Sequence, residues 1–316
     1  MGWWKINADT LAGSRFVISP LAEATAALFT LHRGSAAHPG ERRWLEVHLP
    51  RYRARLSGDP ITALLLEAAR RPGWNADFIT PTPLDDQEFG EELARIRQTS
   101  PERVRADLEV ALGGPVPARL KRTDLAERAA DLIEWVWTEA VEPDWERRRR
   151  IFEGDILART GRLGQDGLAT ALEQLRPGST RWLGDGRLQI NTHDYPPREI
   201  SGAQLIFVPV TAAHGWVSWE EPHRYALIYP CSGVLVSRTA PPQALGRLLG
   251  TARAGVLVLL ETPKSTTQLV ALTGQGLGSV GRHLKVLLDA GLVERRRAGR
   301  SMLYYRTALG DALVEG

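Results

Sequence analysis

The chain has 316 residues, more than one ordinary hydrophobic core accommodates, so two or more domains are expected. Hydrophobic residues make up 43% and charged residues 24%, a balance typical of folded globular proteins that excludes a disordered chain. The net charge is +3, and apolar runs such as 205–210 are shorter than the roughly 18 residues that a membrane span needs. The single cysteine, Cys231, excludes a disulfide within the chain and a zinc site built from several thiolates.

The N-terminal part of the chain is predicted to begin with strands and to continue with helices. Residues 3–6 and 15–18 are predicted to form a short strand pair on either side of a turn-rich stretch, 9–14. Between residues 20 and 176 apolar residues recur at helical spacing, and Pro and Gly divide the region into segments. The predicted helices are 21–32, 41–56, 61–71, 85–98, 101–113, 123–140, 145–159 and 167–175.

Residues 181–236 are predicted to be rich in strands. Runs of apolar and aromatic residues separated by Pro and Gly predict strands at 187–190, 204–208, 216–219, 225–229 and 234–236. All ten tryptophans precede residue 241, and aromatic groups with polar tips suit a pocket for a small molecule. The candidates for binding an aromatic or hydrophobic effector are Trp135, His214, Trp216, Trp219, Tyr225 and Tyr229.

The C-terminal segment, 241–316, is basic and has an ordered series of predicted elements. It carries ten Lys or Arg against five Asp or Glu, a concentration of positive charge typical of a domain that binds a polyanion. After two apolar helices at 245–249 and 251–260, the series is a helix at 266–272, a turn at Gly274, a helix at 277–290 ended by Gly291, and strands at 292–297 and 301–306. Helix, turn, helix and basic β-hairpin follow one another in winged helix-turn-helix DNA-binding domains.

The second helix of this series has one apolar face and one polar face. With Val280, Leu284 and Leu287 buried, helical spacing leaves the polar side chains free to meet DNA, where Arg can pair with guanine and Ser or His can add a single hydrogen bond. Arginines on or beside the hairpin can pair with phosphates. The predicted DNA contacts are Ser279, Arg282, His283 and Lys285 on the helix and Arg295, Arg297 and Arg300 on the hairpin.

Two stretches resemble the ArsR-type bacterial regulators. They are TQLVALTG at 267–274 and VGRHLKVLLDAGLV at 280–293. The resemblance implies that the second of these helices lies in the major groove. The remainder of the chain is similar, on the residues around Lys5, Arg15 and 19–23, to large ArsR-like regulators of high-GC bacteria, which place about 240 residues before the winged helix.

The sequence departs from the ArsR-type pattern in two respects. Gly276, Gly278 and Gly281 stand where relatives usually carry Ser or Ala, and a glycine inside a helix costs about 1 kcal/mol relative to Ala. Residues 265–273 contain no Cys or His, whereas metal-sensing relatives place paired thiolates there, so arsenic or zinc sensing is not expected.

The sequence therefore predicts an α+β protein with a sensor and dimerisation domain at 1–240 and a winged helix-turn-helix at 241–316. We expect a homodimeric repressor that binds double-stranded DNA and responds to an effector, without cofactor, metal or catalytic residues. The absence of a secretory signal predicts a cytoplasmic protein. The alternative is a regulator without a ligand, in which the N-terminal domain serves assembly or binds a protein partner.

Overall fold

The structure of the chain, a computed structural model, describes residues 2–37, 39–85, 87–166, 168–193, 195–231, 243–260, 263–298 and 301–315. Contacts divide the chain into two units: unit 1 comprises Met1–Trp145 and Gly161–Ser232, and unit 2 comprises Glu146–Thr160 and Gly233–Gly316. Both units contain helices and sheets, so the chain is an α+β protein. The predicted domain boundary at residue 240 leaves 146–160 with the first domain, whereas their contacts place them in unit 2.

Nine helices precede the strand-rich segment in the described part of the chain. They are α1 (Ala8–Ala12), α2 (Pro20–Arg33), α3 (Pro39–Gly58), α4 (Pro60–Ala69), α5 (Phe89–Arg97), α6 (Pro101–Leu112), α7 (Leu125–Val136), α8 (Trp145–Asp166) and α9 (Leu168–Glu173). Short 3-10 turns lie at Asp77–Ile79, Ala118–Leu120 and Glu142–Asp144, and a π-helical turn, Trp137–Val141, follows α7. All eight predicted helices are present.

A polar residue followed by proline begins three of these helices. The side chains of Ser19, Asp59 and Ser100 accept hydrogen bonds from the backbone N–H three residues later, at 2.9, 3.1 and 3.3 Å. The proline that follows lacks the N–H that a first helical turn leaves unpaired, and its φ angle already suits a helix. Each such cap stabilises its helix by about 1 kcal/mol, which explains why local sequence located these boundaries.

Unit 1 contains two four-stranded sheets and a hairpin. The strands are β1 (Trp3–Lys5), β2 (Arg15–Phe16), β3 (Arg70–Arg71), β4 (Trp74–Asn75), β5 (Arg181–Trp182), β6 (Arg187–Gln189), β7 (Arg198–Glu199), β8 (Gln204–Val210), β9 (Val217–Glu220) and β10 (Arg224–Pro230). One sheet has the order β5-β6-β1-β7, the other has the order β2-β8-β10-β9, and β3 pairs with β4. The predicted strand at 234–236 lies outside the described residues.

The parallel strands β8 and β10 are buried on both faces. Ile206, Val208 and Ile228 belong to the large core that the helices form, whereas Phe207 and Leu227 belong to a second core shared with β1 and β6. A strand covered on both sides needs apolar residues at every position rather than at alternate positions. This explains the continuous apolar runs LIFV in β8 and ALI in β10, which lie between the helices on one side and the other sheet on the opposite side.

The prediction of an N-terminal strand pair is wrong. β1 pairs with β6 and β7, β2 pairs with β8 in the other sheet, and helix α1 replaces the predicted turn. The Asn7 side chain caps α1 by accepting a hydrogen bond from the Thr10 N–H at 2.8 Å. The partners of these strands lie between residues 187 and 207, so a local sequence pattern could not predict the pairing.

Unit 2 packs its C-terminal helices around one apolar core. Its elements after residue 242 are α10 (Gln243–Leu249), α11 (Thr251–Leu259), β11 (Lys264–Ser265), α12 (Thr266–Thr273), α13 (Leu277–Asp289), β12 (Val293–Ala298), β13 (Ser301–Arg306) and α14 (Ala308–Glu315). The strand order is β11-β13-β12, with both pairings antiparallel. The sequence did not predict β11 or α14. Within the ranges given above, no helix combines the length and apolar character needed to cross a membrane.

Candidate nucleic-acid interface and effector cavity

The helix-turn-helix of unit 2 is fixed by its caps. Ser265 and Gln268 form a reciprocal capping box at the start of α12, in which the Ser265 N–H donates to the Gln268 side chain at 2.8 Å and the Gln268 N–H donates to Ser265 Oγ at 3.3 Å. Gly274 ends α12 with a φ of +68°, a left-handed conformation that favours glycine. This tight turn leads directly into α13.

Helix α13 packs against α11 and α12 with one apolar face and turns the other face outward. Val280, Leu284 and Leu287 are buried in the core of unit 2. At 100° per residue, Arg282 and Lys285 lie on the opposite face, and both are exposed. Ser279 and His283 lie at the flanks of this face and are half-buried. The outward face therefore combines two cations with two hydrogen-bonding groups.

The glycines of α13 leave space on its N-terminal part. Gly276 occupies the N-cap position, where it makes no side-chain cap. A Cβ atom added at Gly276, Gly278 or Gly281 would meet nothing within 4 Å. Close packing against the described residues therefore does not require glycine at these positions.

The hairpin of β12 and β13 carries the other predicted DNA contacts. Arg295 and Arg297 are exposed and lie two residues apart, so they project from the same face of β12. Arg296 projects from the other face, where it contacts Glu294 at 2.7 Å and lies 5.7 Å from the centre of the Tyr305 ring. Arg300 lies outside the described residues.

Unit 1 contains a cavity of about 420 Å³, a volume typical of sites for small molecules. Its walls come from α2, from the β3–β4 hairpin, and from the segments around residues 191–195 and 212–219. Aromatic rings form much of this wall. Trp74 makes edge contacts with Trp219 at 5.7 Å and Tyr195 at 5.0 Å, and Phe29 makes one with Trp216 at 5.5 Å.

Four arginines also line the cavity: Arg33, Arg70, Arg71 and Arg176. Arg33 forms an ion pair with Glu41 at 3.1 Å. Arg176 donates hydrogen bonds to the carbonyl oxygens of Ile190 and Gly215 at 2.9 and 3.3 Å.

Burial disfavours the charged forms of two of the cavity arginines, Arg70 and Arg176. It lowers the pKa of Arg176 to about 10. The pKa of Arg70 is lowered mainly by burial and further by the charge of Arg33.

The ionisable groups beside these arginines respond to the same surroundings. Loss of contact with water lowers the pKa of His214, and the charges of Arg33, Arg70 and Arg176 lower it further, against an opposing effect of Glu41. Asp77, which also lines the cavity, has its pKa raised to about 6, mainly by burial. The positive side chains thus dominate the potential that His214 senses.

The structure brings together three of the six predicted effector residues. His214, Trp216 and Trp219 line the cavity. Tyr225 and Tyr229 instead lie in the core between the two sheets, 3% and 0% exposed. Trp135 lies on α7, where the Arg55 guanidinium is 5.4 Å from its ring centre.

Several cavity residues were not singled out by the sequence. Trp74, Tyr195, Arg70 and Arg176 come from three separate segments, and no local spacing joins them. The Trp74-containing hairpin begins where α4 ends early, at Ala69 rather than at residue 71 as predicted. The tryptophan count was the one signal that pointed towards Trp74.

Comparison with known families identifies the helix-turn-helix. Residues 256–295, which include α12 and α13, match the family described as bacterial regulatory protein, arsR family. Comparisons of the chain with curated proteins and with solved structures gave no match. The C-terminal segment therefore contains an ArsR-type helix-turn-helix, the DNA-binding element of a transcriptional regulator.

Proposed function

We propose that this protein is a homodimeric, sequence-specific repressor with a winged helix-turn-helix. The observation that carries the proposal is the exposure of Arg282 and Lys285 on the outward face of α13, within the ArsR-type segment. In this arrangement α13 enters the major groove, where Arg282 reads guanine, and Ser279 and His283 add contacts to neighbouring bases or phosphates.

The β12–β13 hairpin acts as the wing. Arg295 and Arg297 project from one face of β12 towards the phosphates beside the major groove. These contacts hold the protein on DNA of any sequence, because phosphates are common to all base pairs. Arg300, which lies between β12 and β13 in the sequence, is assigned the same role on that ground.

Dimerisation is supported by apolar side chains on the surface of unit 2. Leu248 on α10 and Leu309 on α14 are 68% and 56% exposed, and a second copy of the chain would cover them. A two-fold dimer presents two α13 helices, so the binding site is an inverted repeat with half-sites about one helical turn apart.

Unit 1 acts as the sensor, with a small aromatic molecule as its effector and no catalytic role. The cavity supports this proposal over a ligand-free assembly domain, because a domain that serves assembly alone needs no hollow of about 420 Å³ lined by aromatic rings. The effector would alter DNA affinity by binding one conformation of the protein better than another.

Selection from a random double-stranded DNA library with the full chain tests the regulatory function. We expect enrichment of an inverted repeat. Arg282→Ala should relax the preference at one base of each half-site at a cost of about 1–3 kcal/mol. Arg295→Ala should weaken binding to all sequences and reduce the slope of log affinity against log salt by about 1, because it removes one pairing with a phosphate. Failure to enrich any sequence would overturn the proposed function.

A further inference from the structure

The cavity of unit 1 combines aromatic rings with more positive than negative side chains. Four arginines line it, and Asp77 is the single acidic residue among the described residues of its wall. Asp77 already has a cationic partner, Arg103, at 3.7 Å. A cavity for a purely hydrophobic molecule would not place several guanidinium groups in contact with its ligand, because each loses hydration there.

Arg70, Arg71 and Arg176 lack a carboxylate partner among the described residues; of these Arg71 is exposed, whereas Arg70 and Arg176 are half-buried. Within that part of the chain, no Asp or Glu oxygen lies within 4.0 Å of a nitrogen of Arg70 or Arg176. Arg176 uses two of its five N–H groups for the carbonyls of Ile190 and Gly215, which leaves three donors. Arg70 lies 5.1 Å from the centre of the Phe29 ring, a cation–π contact that fixes the guanidinium without neutralising it.

We propose that the cavity binds an aromatic anion, with the ring among Phe29, Trp74 and Trp219 and the anionic group at Arg70 and Arg176. The inference rests on the proposed effector role. It narrows the chemical class of the effector from an aromatic or hydrophobic molecule to an aromatic carboxylate or phosphate monoester. Planar guanidinium groups suit both anions, since each offers two oxygens to a forked donor.

The surroundings of His214 agree with this assignment. Arg33, Arg70 and Arg176 all act on the imidazole in the same direction and favour its neutral form. An anion bound at Arg70 and Arg176 would offset that field and would also raise the lowered pKa values of both arginines. Binding should therefore be accompanied by a rise in the pKa of His214.

Isothermal titration of the full chain with matched probes tests the proposal. The probes are 2-naphthoate, 2-naphthyl phosphate and the neutral 2-naphthamide, which share one ring system. We expect one site per chain, and at least one of the two anions should bind about tenfold or more tightly than the amide, the usual effect of a charge-assisted hydrogen bond. The stronger of the two anions identifies the anionic group that the site prefers.

Arginine variants locate the site. Arg70→Gln and Arg176→Gln should each weaken binding of the preferred anion by about tenfold or more while leaving the amide unchanged. Arg119→Gln, an exposed arginine on a 3-10 turn outside the cavity, is the matched control. Because Arg176 also bonds two backbone carbonyls, circular dichroism should verify that this variant folds, and Arg70→Gln tests the site if it does not.

The outcomes separate the anion site from the proposed regulation. Equal binding of anions and amide, unchanged binding by both arginine variants, or no binding of any probe would overturn the inference. Anion binding that leaves DNA affinity unchanged would retain the site and contradict the effector role. Loss of sequence selection by the full chain would contradict DNA recognition while leaving the titration result intact.

Discussion

Gly276 begins α13 without a side-chain cap, and Gly278 and Gly281 lie within its first two turns. All three have open space where a Cβ atom would be. Glycine stabilises a helix less than alanine does, because its backbone loses more conformational entropy on folding. The N-terminal part of α13 is therefore less stable than its C-terminal part, where Leu284 and Leu287 are buried in the core of unit 2.

Replacing the helical glycines by alanine should strengthen α13. Gly278→Ala and Gly281→Ala are each expected to raise the free energy of unfolding by up to about 1 kcal/mol and to slow amide hydrogen exchange along α13. Gly291→Ala is the contrasting control, because Gly291 has a φ of +68° and an alanine there would be strained. Destabilisation by either helical substitution would show that the glycine has a role that its open surroundings do not reveal.

At the level of elements, Glu92 joins two helices of unit 1. Its carboxylate, on α5 and 1% exposed, accepts hydrogen bonds from Ser19 Oγ at 2.8 and 2.9 Å and from the Leu21 N–H at 2.9 Å, at the start of α2. Burial nevertheless raises the pKa of Glu92 to about 7, against the effect of these donors.

The raised pKa predicts a pH-dependent stability. Between its ordinary pKa of about 4.5 and about 7, folded protein retains a proton on Glu92 that unfolded protein has released. The free energy of unfolding should therefore fall as the pH rises through this window, by up to about 1.4 kcal/mol per pH unit from this group. Denaturant titrations at pH 5 and pH 7 should show a smaller fall for Glu92→Gln than for the unchanged protein. Glu109→Gln, on the exposed side of α6, should retain the full fall, and equal falls in both variants would refute the assignment.

Local sequence predicted the helices well, because their signals are local. Helix starts are marked by short motifs, Asp59 followed by Pro60 and Ser100 followed by Pro101. The buried positions of α13 recur every three or four residues. The strand pairing and the cavity depend on remote contacts. The partners of β1 are near residues 188 and 198, and Arg70 and Arg176 line the same cavity from widely separated segments of the chain. No spacing of residues in the sequence predicts either the strand pairing or the lining of the cavity.

For the aromatic residues too, the sequence predicted that a pocket exists but could not show which of them line it. The presence of all ten tryptophans before residue 241 indicated a pocket, and His214, Trp216 and Trp219 do line one. Composition could not distinguish them from Tyr225 and Tyr229, which are buried in the second core on β10 and do not line the cavity.

At the level of the whole molecule, the proposed regulation requires that ligand binding in unit 1 change DNA affinity. Trp219→Ala should reduce the effect of 2-naphthoate on that affinity, a coupling usually of about 5- to 150-fold, and should leave affinity without ligand unchanged. Trp135→Ala is the matched control, since this half-buried indole lies on α7 away from the cavity wall. Fluorescence anisotropy of a labelled operator duplex, with and without naphthoate, measures both quantities. An equal loss of coupling in both variants would contradict the cavity as the origin of the response.

The pairing of the first strands with late ones has a consequence for synthesis on the ribosome. Trp4 and Phe16 are made before the rest of unit 1, yet their strand partners, Leu188 and Phe207, emerge only after most of unit 1 has been translated. At ordinary elongation rates that interval is about 10–40 s. During this interval the helices from α2 to α7 can pack together. The Trp4 indole, which is 0% exposed in the folded protein, remains in water or bound to a chaperone. The first two strands of unit 1 are therefore among its last parts to be enclosed, although they are translated before its helices α2 to α7.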